Sequence, residues 1–415
     1  MSVIDSIELF FVEIPLPAPF SAAWLPGITR TTSSYLVIRL GTDDGVFGYS
    51  TFLSAARERA GMGDALVQLF MGKDATDIDR VQEMLRIPAY GGIRNFWVEP
   101  AFWDIKGKLA NKPVYELLGG APSHLKLYAS AGELMEPAQR IEEAHARLEE
   151  GFTAMKLRVH SFDEAIDIRD VQQPARALEG KMNFSVDCNQ AFRIFSSAVG
   201  PRWDLPRAKR FCDACHEAGL LWVEEPLFME MYDELAELTS YARIPVSGGE
   251  LQTSGLPELS VMIEKRCYDV FQPDAIWTGG IAQTLAAARL ARAAGLQFTS
   301  HTWSNGIGFA VNLQVMLASG FADEMLFEYP IVEPSFMPTT RDILLTEPWT
   351  HERGVLPPPT LPGLGFEIDT EALARFGRCF FRANRRAVYW MPEVLRSYAP
   401  ALSPGPAPAC DGNPS

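Results

Sequence analysis

The amino-acid sequence predicts an α/β fold: a parallel (β/α) barrel preceded by a smaller α+β region. Three observations predict it. Short apolar runs alternate with amphipathic helical stretches from about residue 125 to residue 329. In the first 120 or so residues the strands come first and the helices after, without alternation. Ionisable residues also recur at the ends of the alternating strands, about one βα unit apart.

In chain order, residues 2–14 and 34–39 read as strands, and Asp43-Asp44-Gly45 is a turn signal before a returning strand at 46–50. Residues 55–118 carry a helical pattern that stops at Gly119-Gly120, the residue type that suits a helix C-cap. Strands are then predicted at 125–130, 154–158, 184–187, 221–224, 246–248, 270–272, 297–300 and 325–328. Helical segments such as 163–178, 206–218, 281–294 and 309–319 separate most of them. Units of this size need right-handed crossovers in a parallel sheet, and eight strands favour closure into a barrel. An open dinucleotide-binding sheet would carry Gly-x-Gly-x-x-Gly after its first strand, and none is visible. The domains are therefore drawn at 1–122 for the α+β cap and 123–356 for the barrel. The proline-rich segment 357–398 is expected to return to the cap, and 399–415 to be a disordered tail.

The chain has 415 residues, 47% hydrophobic and 21% charged, enough apolar material for one large or two unequal domains. Its formal net charge of −15 repels phosphate backbones and anionic lipid, which argues against nucleic-acid and membrane-surface partners. An acid substrate would need a local positive centre such as a metal. The six cysteines (Cys188, Cys212, Cys215, Cys267, Cys379, Cys410) do not form a disulfide framework. Cys212 and Cys215 form a Cys-x-x-Cys pair, but they sit in a helical stretch with no second pair and read as helix residues. The N-terminus lacks a basic segment followed by an apolar core, and no uncharged apolar run reaches membrane-spanning length, so a cytoplasmic location is expected.

Six successive units end in Asp187, Glu224, Glu250, Asp274, His301 and Glu328, with gaps of 37, 26, 24, 27 and 27 residues. A single acid after a strand usually caps a helix. Six in register are different, because barrel strands open their C-terminal ends onto one mouth. Asp187, Glu224 and Glu250 cannot share a pocket as bare anions, so a divalent cation is expected among them. All-oxygen ligation favours a hard ion, Mg²⁺ over Zn²⁺. Glu225 follows Glu224 directly and should face away. Gly279-Gly280 reads as a tight turn before a helix, not as a phosphate loop.

The blocks AFWDIKGKLANKPVYELLGG, MKLR, FSVDCNQ, WVEEPL, SGGE, QPDAIWTGGI, TSHTW and LFEYP, in this order, resemble the enolase superfamily and its mandelate racemase branch over nearly the whole chain. The resemblance implies a modified (β/α)7β barrel with an N-terminal capping domain completed by the C-terminal segment. It implies Mg²⁺ on Asp187, Glu224 and Glu250, stabilising the enediolate formed when the α-proton of a carboxylate substrate leaves. Asp274 and His301 match the family's dyad, in which the carboxylate fixes the imidazole tautomer and raises its basicity. Glu328 matches the acid that donates to the substrate carboxylate, and Lys156 a lysine beside the metal ligands. Asn189 is a candidate for a substrate hydroxyl, or simply a loop cap. Trp24 and Arg30 lie in residues 19–30, which in similar proteins fold over the mouth; with Trp303 and Trp277 they are candidates for substrate binding or for interdomain packing. Similar proteins are dimers or octamers, so a homo-oligomer is expected.

One position departs from the pattern. The second barrel strand reads Lys156-Leu157-Arg158, where the family often has Lys-x-Lys, and a guanidinium is a poor base. His160 is a possible substitute further out on the same face. Racemisation needs competent groups on both faces of the α-carbon, whereas loss of water can run on one histidine. The expected activity is therefore a hydro-lyase, a Mg²⁺-dependent dehydratase converting a 2,3-dihydroxy sugar acid to its 2-keto-3-deoxy product. The alternatives are a racemase, epimerase or cycloisomerase of a hydroxy acid, and a degraded homologue that binds an acid without turning it over.

Overall fold

The structure, a computed structural model, describes residues 2–53, 62–193 and 200–391. The tail expected at 399–415 and part of the segment 357–398 lie outside the described residues.

The first unit is an antiparallel sheet backed by helices. Strands β1 (Ile4–Phe20), β2 (Arg30–Thr42) and β3 (Phe47–Leu53) run antiparallel in that order, and β1 and β2 reach further than the alternation predicts. Asp43-Asp44-Gly45 makes the β2–β3 turn, with Gly45 at φ 84° and the Thr42 amide bonded to the Val46 carbonyl at 3.0 Å. Helices α1 (Met62–Phe70), α2 (Ile78–Ala89), α3 (Glu99–Ala110) and α4 (Val114–Leu117) follow. The helical run ends where expected: Gly119 is left-handed at φ 86°, and the Gly120 amide closes on the Tyr115 carbonyl at 2.8 Å.

The second unit is a curled parallel sheet. Its strands and helices alternate as β4 (Leu125–Ser130), α5 (Pro137–Glu149), β5 (Ala154–Arg158), α6 (Glu164–Ala177), β6 (Asn183–Asp187), α7 (Leu205–Glu217) and β7 (Val223–Glu224). They continue as α8 (Tyr232–Tyr241), β8 (Val246–Gly248), α9 (Leu256–Lys265), β9 (Val270–Phe271), α10 (Gly280–Ala293), β10 (Gln297–Phe298), α11 (Gly306–Ala318) and β11 (Phe327–Pro330). The spatial order β11-β4-β5-β6-β7-β8-β9-β10 follows the chain apart from β11, which returns beside β4. The end strands are joined by the Thr299 hydroxyl, which donates to the Leu326 carbonyl at 2.8 Å. Several strands are shorter than predicted. Their pairing continues as single bonds instead of a ladder, as from the Leu221 amide to the Phe184 carbonyl at 2.7 Å and from the Gln272 amide to the Gly248 carbonyl at 2.8 Å.

After β11 the chain forms α12 (Pro338–Arg341), β12 (Val355–Leu356), α13 (Thr370–Phe376), β13 (Gly377–Asn384) and β14 (Val388–Trp390). β12 pairs with β4, and β13 pairs with the free edge of β1, Leu9 facing Phe381. The C-terminal segment therefore completes the N-terminal sheet, in the order β14-β13-β1-β2-β3. The two units share a buried core in which Val186, Val223, Val246 and Val270 of the strands pack with Phe211, Leu235, Leu259 and Ala287 of the helices. Among the described residues no helix is long and apolar enough to cross a membrane.

Candidate active site

Strand pairing sets the site. On β5, Lys156 and Arg158 share the inward face and Leu157 points away, by the two-residue period of a strand. Register then aligns Arg158 with Asp187 on β6 and Asp187 with Glu224 on β7. Glu224 faces Ser247 on β8, so Glu250 stands just past the next strand end. Asp274, His301 and Glu328 follow from the remaining strands.

The curling of the sheet brings these groups together. Lys156 Nζ, fully buried, lies 2.8 Å from Glu224 Oε1 and 2.7 Å from Glu328 Oε1, so it bridges β7 and β11 across the interior. His301 is held at both ring nitrogens: Nδ1 lies 2.9 Å from Asp274 Oδ2 and Nε2 lies 3.1 Å from Glu250 Oε2. Asp274 is fixed in turn by Asn312, whose Nδ2 donates to Oδ1 at 2.7 Å, and by the Ile276 amide at 3.0 Å. Burial pulls the imidazole down, but Glu250, Glu328 and the bond to Asp274 outweigh it and push His301 up to about 9.

Glu328 accepts hydrogen bonds from two neighbouring elements. It takes hydrogen bonds from the Ser130 hydroxyl at 2.8 Å and the Thr302 amide at 2.8 Å. Burial alone would raise its carboxyl; Lys156 and His301 beside it reverse that and hold it at about 2.

Arg158 is bound to Asp187 through Nη1 and to the Ala131 carbonyl through Nε at 2.7 Å. Its guanidinium also lies 5.1 Å from the centre of the Trp24 ring and 5.6 Å from that of Trp303. Asn189, left-handed at φ 46°, folds back on Asp187: its amide donates to Oδ1 at 2.7 Å and its Nδ2 to Oδ2 at 2.9 Å. It serves here as a cap of the kind its residue type allows, while also lining the cavity.

Above these groups lies a cavity of about 110 Å³, lined among others by Trp24, Arg30, Arg158, Asn189, Glu250 and His301. Trp303 and Trp277 also line it, while Lys156, Asp187, Glu224 and Glu328 do not. Phe20, Trp24, Trp303 and Phe336 form an aromatic wall, with Trp303 at 4.7 Å from both Trp24 and Phe336. The loop after β1 is stitched over the mouth by the Ala23 amide to the Gly132 carbonyl at 2.8 Å and the Ser21 amide to Glu133 Oε1 at 3.0 Å. The opposite side is polar, with Arg30, Thr32 and Ser33 from β2. His160 is buried, its Nε2 without a hydrogen-bond partner, and it does not line the cavity; burial and Arg193 push it down to about 4. The Cys212 and Cys215 thiols are buried and pushed up by that burial, away from redox chemistry.

As a cation site the carboxylates differ in charge and in placement. Asp187, Glu224, Glu225, Glu250, Asp274 and Glu328 are buried, and among the described residues Lys156, Arg158 and His301 are the cationic side chains paired with them. Burial raises Glu224 to about 7 despite Lys156 beside it, and raises Glu250 despite His301. The donor set thus fits a hard divalent cation in type and in charge. In placement, no three acidic, histidine or cysteine side chains among the described residues converge as a preformed metal site. Arg158, Asn189 and Lys156 hold the oxygens instead. Glu225, expected to face away, is also buried. The strand stops at Glu224, Glu225 turns left-handed at φ 48°, and its Oε2 has no partner, so burial and Glu250 raise its carboxyl well above the usual range.

Residues 139–372 match the enolase C-terminal domain-like family, and residues 6–119 match the mandelate racemase / muconate lactonizing enzyme N-terminal domain. The chain belongs to the enolase superfamily. Within its mandelate racemase / muconate lactonizing branch, D-galactarolactone cycloisomerase of Agrobacterium fabrum is 26% identical over 90% of this chain and 98% of its own. D-galactonate dehydratase of Ralstonia nicotianae is 28% identical over 89% of this chain and 97% of its own. The fold of this superfamily member matches that of L-talarate dehydratase from a Polaromonas species, a structure containing Mg and L-glucarate. The TM-score is 0.77 at 24% identity, covering 93% of this chain and all of that one.

Sequence reasoning missed the groups that orient the others: Asn312 behind Asp274, and Ser130 and Thr302 around Glu328. Ser130 also accepts from Trp303 Nε1 at 2.8 Å, so the aromatic wall and the acid–base floor share one hydroxyl. A polar residue at a buried helix or strand position was the available signal.

Proposed function

We propose that this superfamily member is a Mg²⁺-dependent dehydratase of a sugar acid, with His301 as its single general base and acid. The observation that carries this reading is His301 itself: it lines the cavity, Asp274 fixes its Nδ1, and Nε2 is the nitrogen presented to Glu250 and the cavity side. Mg²⁺ held by Asp187, Glu224 and Glu250 would supply the positive charge that holds a substrate carboxylate and offsets the charge left when its α-proton departs.

The chain's own residues account for the rest. His301 Nε2, once it has shed the proton that Glu250 and Asp274 help it hold, takes the α-proton from C2 of a 2,3-dihydroxy acid. The 3-hydroxyl leaves with a proton returned from the same nitrogen, so water is lost and the resulting enol rearranges to a 2-keto-3-deoxy acid. Lys156 stays cationic between Glu224 and Glu328 and keeps both anions in place. Arg158 cannot serve as a second base, because carboxylates around it hold its proton still more firmly than usual. This favours one-base elimination over racemisation. Dehydratases of D-galactonate and other acid sugars among the relatives support the substrate class. The cycloisomerase relative supports a second reading, ring opening of an acid sugar by the same single base.

The test is incubation with Mg²⁺ and a panel of acid sugars. A semicarbazide-reactive product lighter than its substrate by one water identifies a 2-keto acid and the dehydratase. A product isomeric with its substrate identifies the cycloisomerase. Solvent deuterium at the α-carbon without net product would point to a racemase. Ligand-induced stabilisation with no reaction would leave a binding protein.

A further inference from the structure

Arg158 stands between the cavity and the carboxylate assigned above to the metal. It lines the cavity, its Nη1 binds Asp187 Oδ2, and the same oxygen accepts from Asn189 Nδ2 at 2.9 Å. Asp187 Oδ1 is taken by the Asn189 amide at 2.7 Å. An oxygen already receiving two N–H donors has no lone pair directed at a cation. Lys156 Nζ already stands 4.0 Å from Oδ2, so a metal ion would add a third positive centre to one buried carboxylate where water does not screen the repulsion. Arg158 and a metal ion therefore compete for Asp187, where Oδ1, with one donor, is the oxygen that keeps a lone pair.

The guanidinium is built to give way. Its Nε is anchored on the Ala131 carbonyl at 2.7 Å, while Nη2 has only a long contact of 3.5 Å to Ser130 Oγ. A rotation about the anchored end frees Nη1 without extracting the side chain. The plane already lies within cation–π distance of Trp24 and Trp303, at 5.1 and 5.6 Å, and these indoles come from separate parts of the chain.

We infer that Arg158 is an internal rival of the metal ion for Asp187, and that metal binding drives the guanidinium off the carboxylate and onto the cavity wall beside Trp24 and Trp303. This rests on the metal role given to Asp187, Glu224 and Glu250. On the wall, a substrate oxyanion or hydroxyl is the replacement acceptor, so the metal binds before the substrate and Arg158 becomes a positioning group for it.

Titration of the protein with Mg²⁺ alone, followed by calorimetry and by tryptophan emission, tests the inference. The wild type should show a saturable emission change that disappears in Arg158→Met and shrinks in Trp24→Phe and Trp303→Phe. Arg158→Met should bind Mg²⁺ about tenfold or more tightly, because the competent state is no longer a minor fraction. Calorimetric binding by the wild type without an emission change overturns the inference, since Arg158 has then stayed in place. So does an emission change with no gain of affinity in Arg158→Met, since Arg158 then does not compete. Absence of Mg²⁺ binding in both proteins overturns the metal role of the three carboxylates and this inference with it. Should Arg158→Met fail to fold, the wild-type titration and the two tryptophan variants decide alone.

Discussion

At the residue scale, His301 is the group on which the proposed chemistry turns. His301→Asn should lower turnover by about a thousandfold, within the usual range for a general acid–base group. Its Mg²⁺ affinity, read by calorimetry, should stay within about a factor of two, since the imidazole is not in the proposed ligand set. Turnover equal to the wild type would remove His301 from the reaction. Gly132 makes a second residue-scale case. A Cβ there would meet Trp303 Cη2 at 2.7 Å and Phe20 Cζ at 2.9 Å, both on the aromatic wall. Gly132→Ala should therefore raise KM several-fold while leaving kcat nearly unchanged, because it narrows the cavity without touching His301. An equal loss in both constants would show that the wall also orients the base. The ionisable strand-end residues were legible because a repeat of βα units places equal-phase residues at one mouth. The partner of Arg158 was not, because it depends on Asp187, Trp24 and Trp303 folding to the same point. Glu225 is a local case: alternation holds only while the strand lasts, and β7 ends one residue earlier, so the pattern alone does not fix its direction.

At the element scale, the contact between α3 and α10 fastens the cap to the barrel. Glu99 accepts from the Ile281 amide at 2.9 Å, the Ala282 amide at 3.0 Å and Trp103 Nε1 at 2.9 Å. A side-chain carboxylate thus fills the anion position at the start of α10, and Gly280 makes room for it, since a Cβ there would meet Glu99 Oε2 at 2.7 Å. The sequence reading of Gly279-Gly280 as a turn and not a phosphate loop agrees with this; the distant glutamate that fills the place was not readable from it. Burial outweighs these bonds and pushes Glu99 up to about 7. The native state then keeps a proton that the unfolded chain releases in the ordinary carboxylate range. This contribution to stability is complete below the unfolded value and is lost as pH rises through about 7. Thermal melts between about pH 5 and about pH 8 should show the wild type losing ground to Glu99→Gln, which cannot ionise. A constant gap between the two would mean that Glu99 does not titrate in this range.

For the whole molecule, the two ends of the described chain close one sheet. The late strand β13 covers the edge of β1 and buries Phe380 and Phe381. The sequence signalled that the proline-rich segment leaves the barrel and returns to the cap; its pairing partner, more than 360 residues earlier at Leu9 opposite Phe381, lies beyond any local pattern. Truncation after residue 376 should cost about 2 kcal/mol for each of the two phenylalanines and leave β1 with an unpaired edge. A lower urea midpoint and concentration-dependent association by size exclusion are the expected signs. Unchanged values for both would show that β1 is held by β2 and the helices alone.

The long β1 strand has a further consequence. One end is sealed by β13, and the other delivers Phe20 and the Trp24 loop to the cavity. Seven of the twenty residues that line the cavity are therefore written in the first 34 residues, and the groups the substrate's reacting carbon would meet are written between residues 156 and 328. Part of the taste is thus inherited apart from the chemistry, so a descendant of this protein could shift its diet through the opening segment while its reacting groups stay as they are.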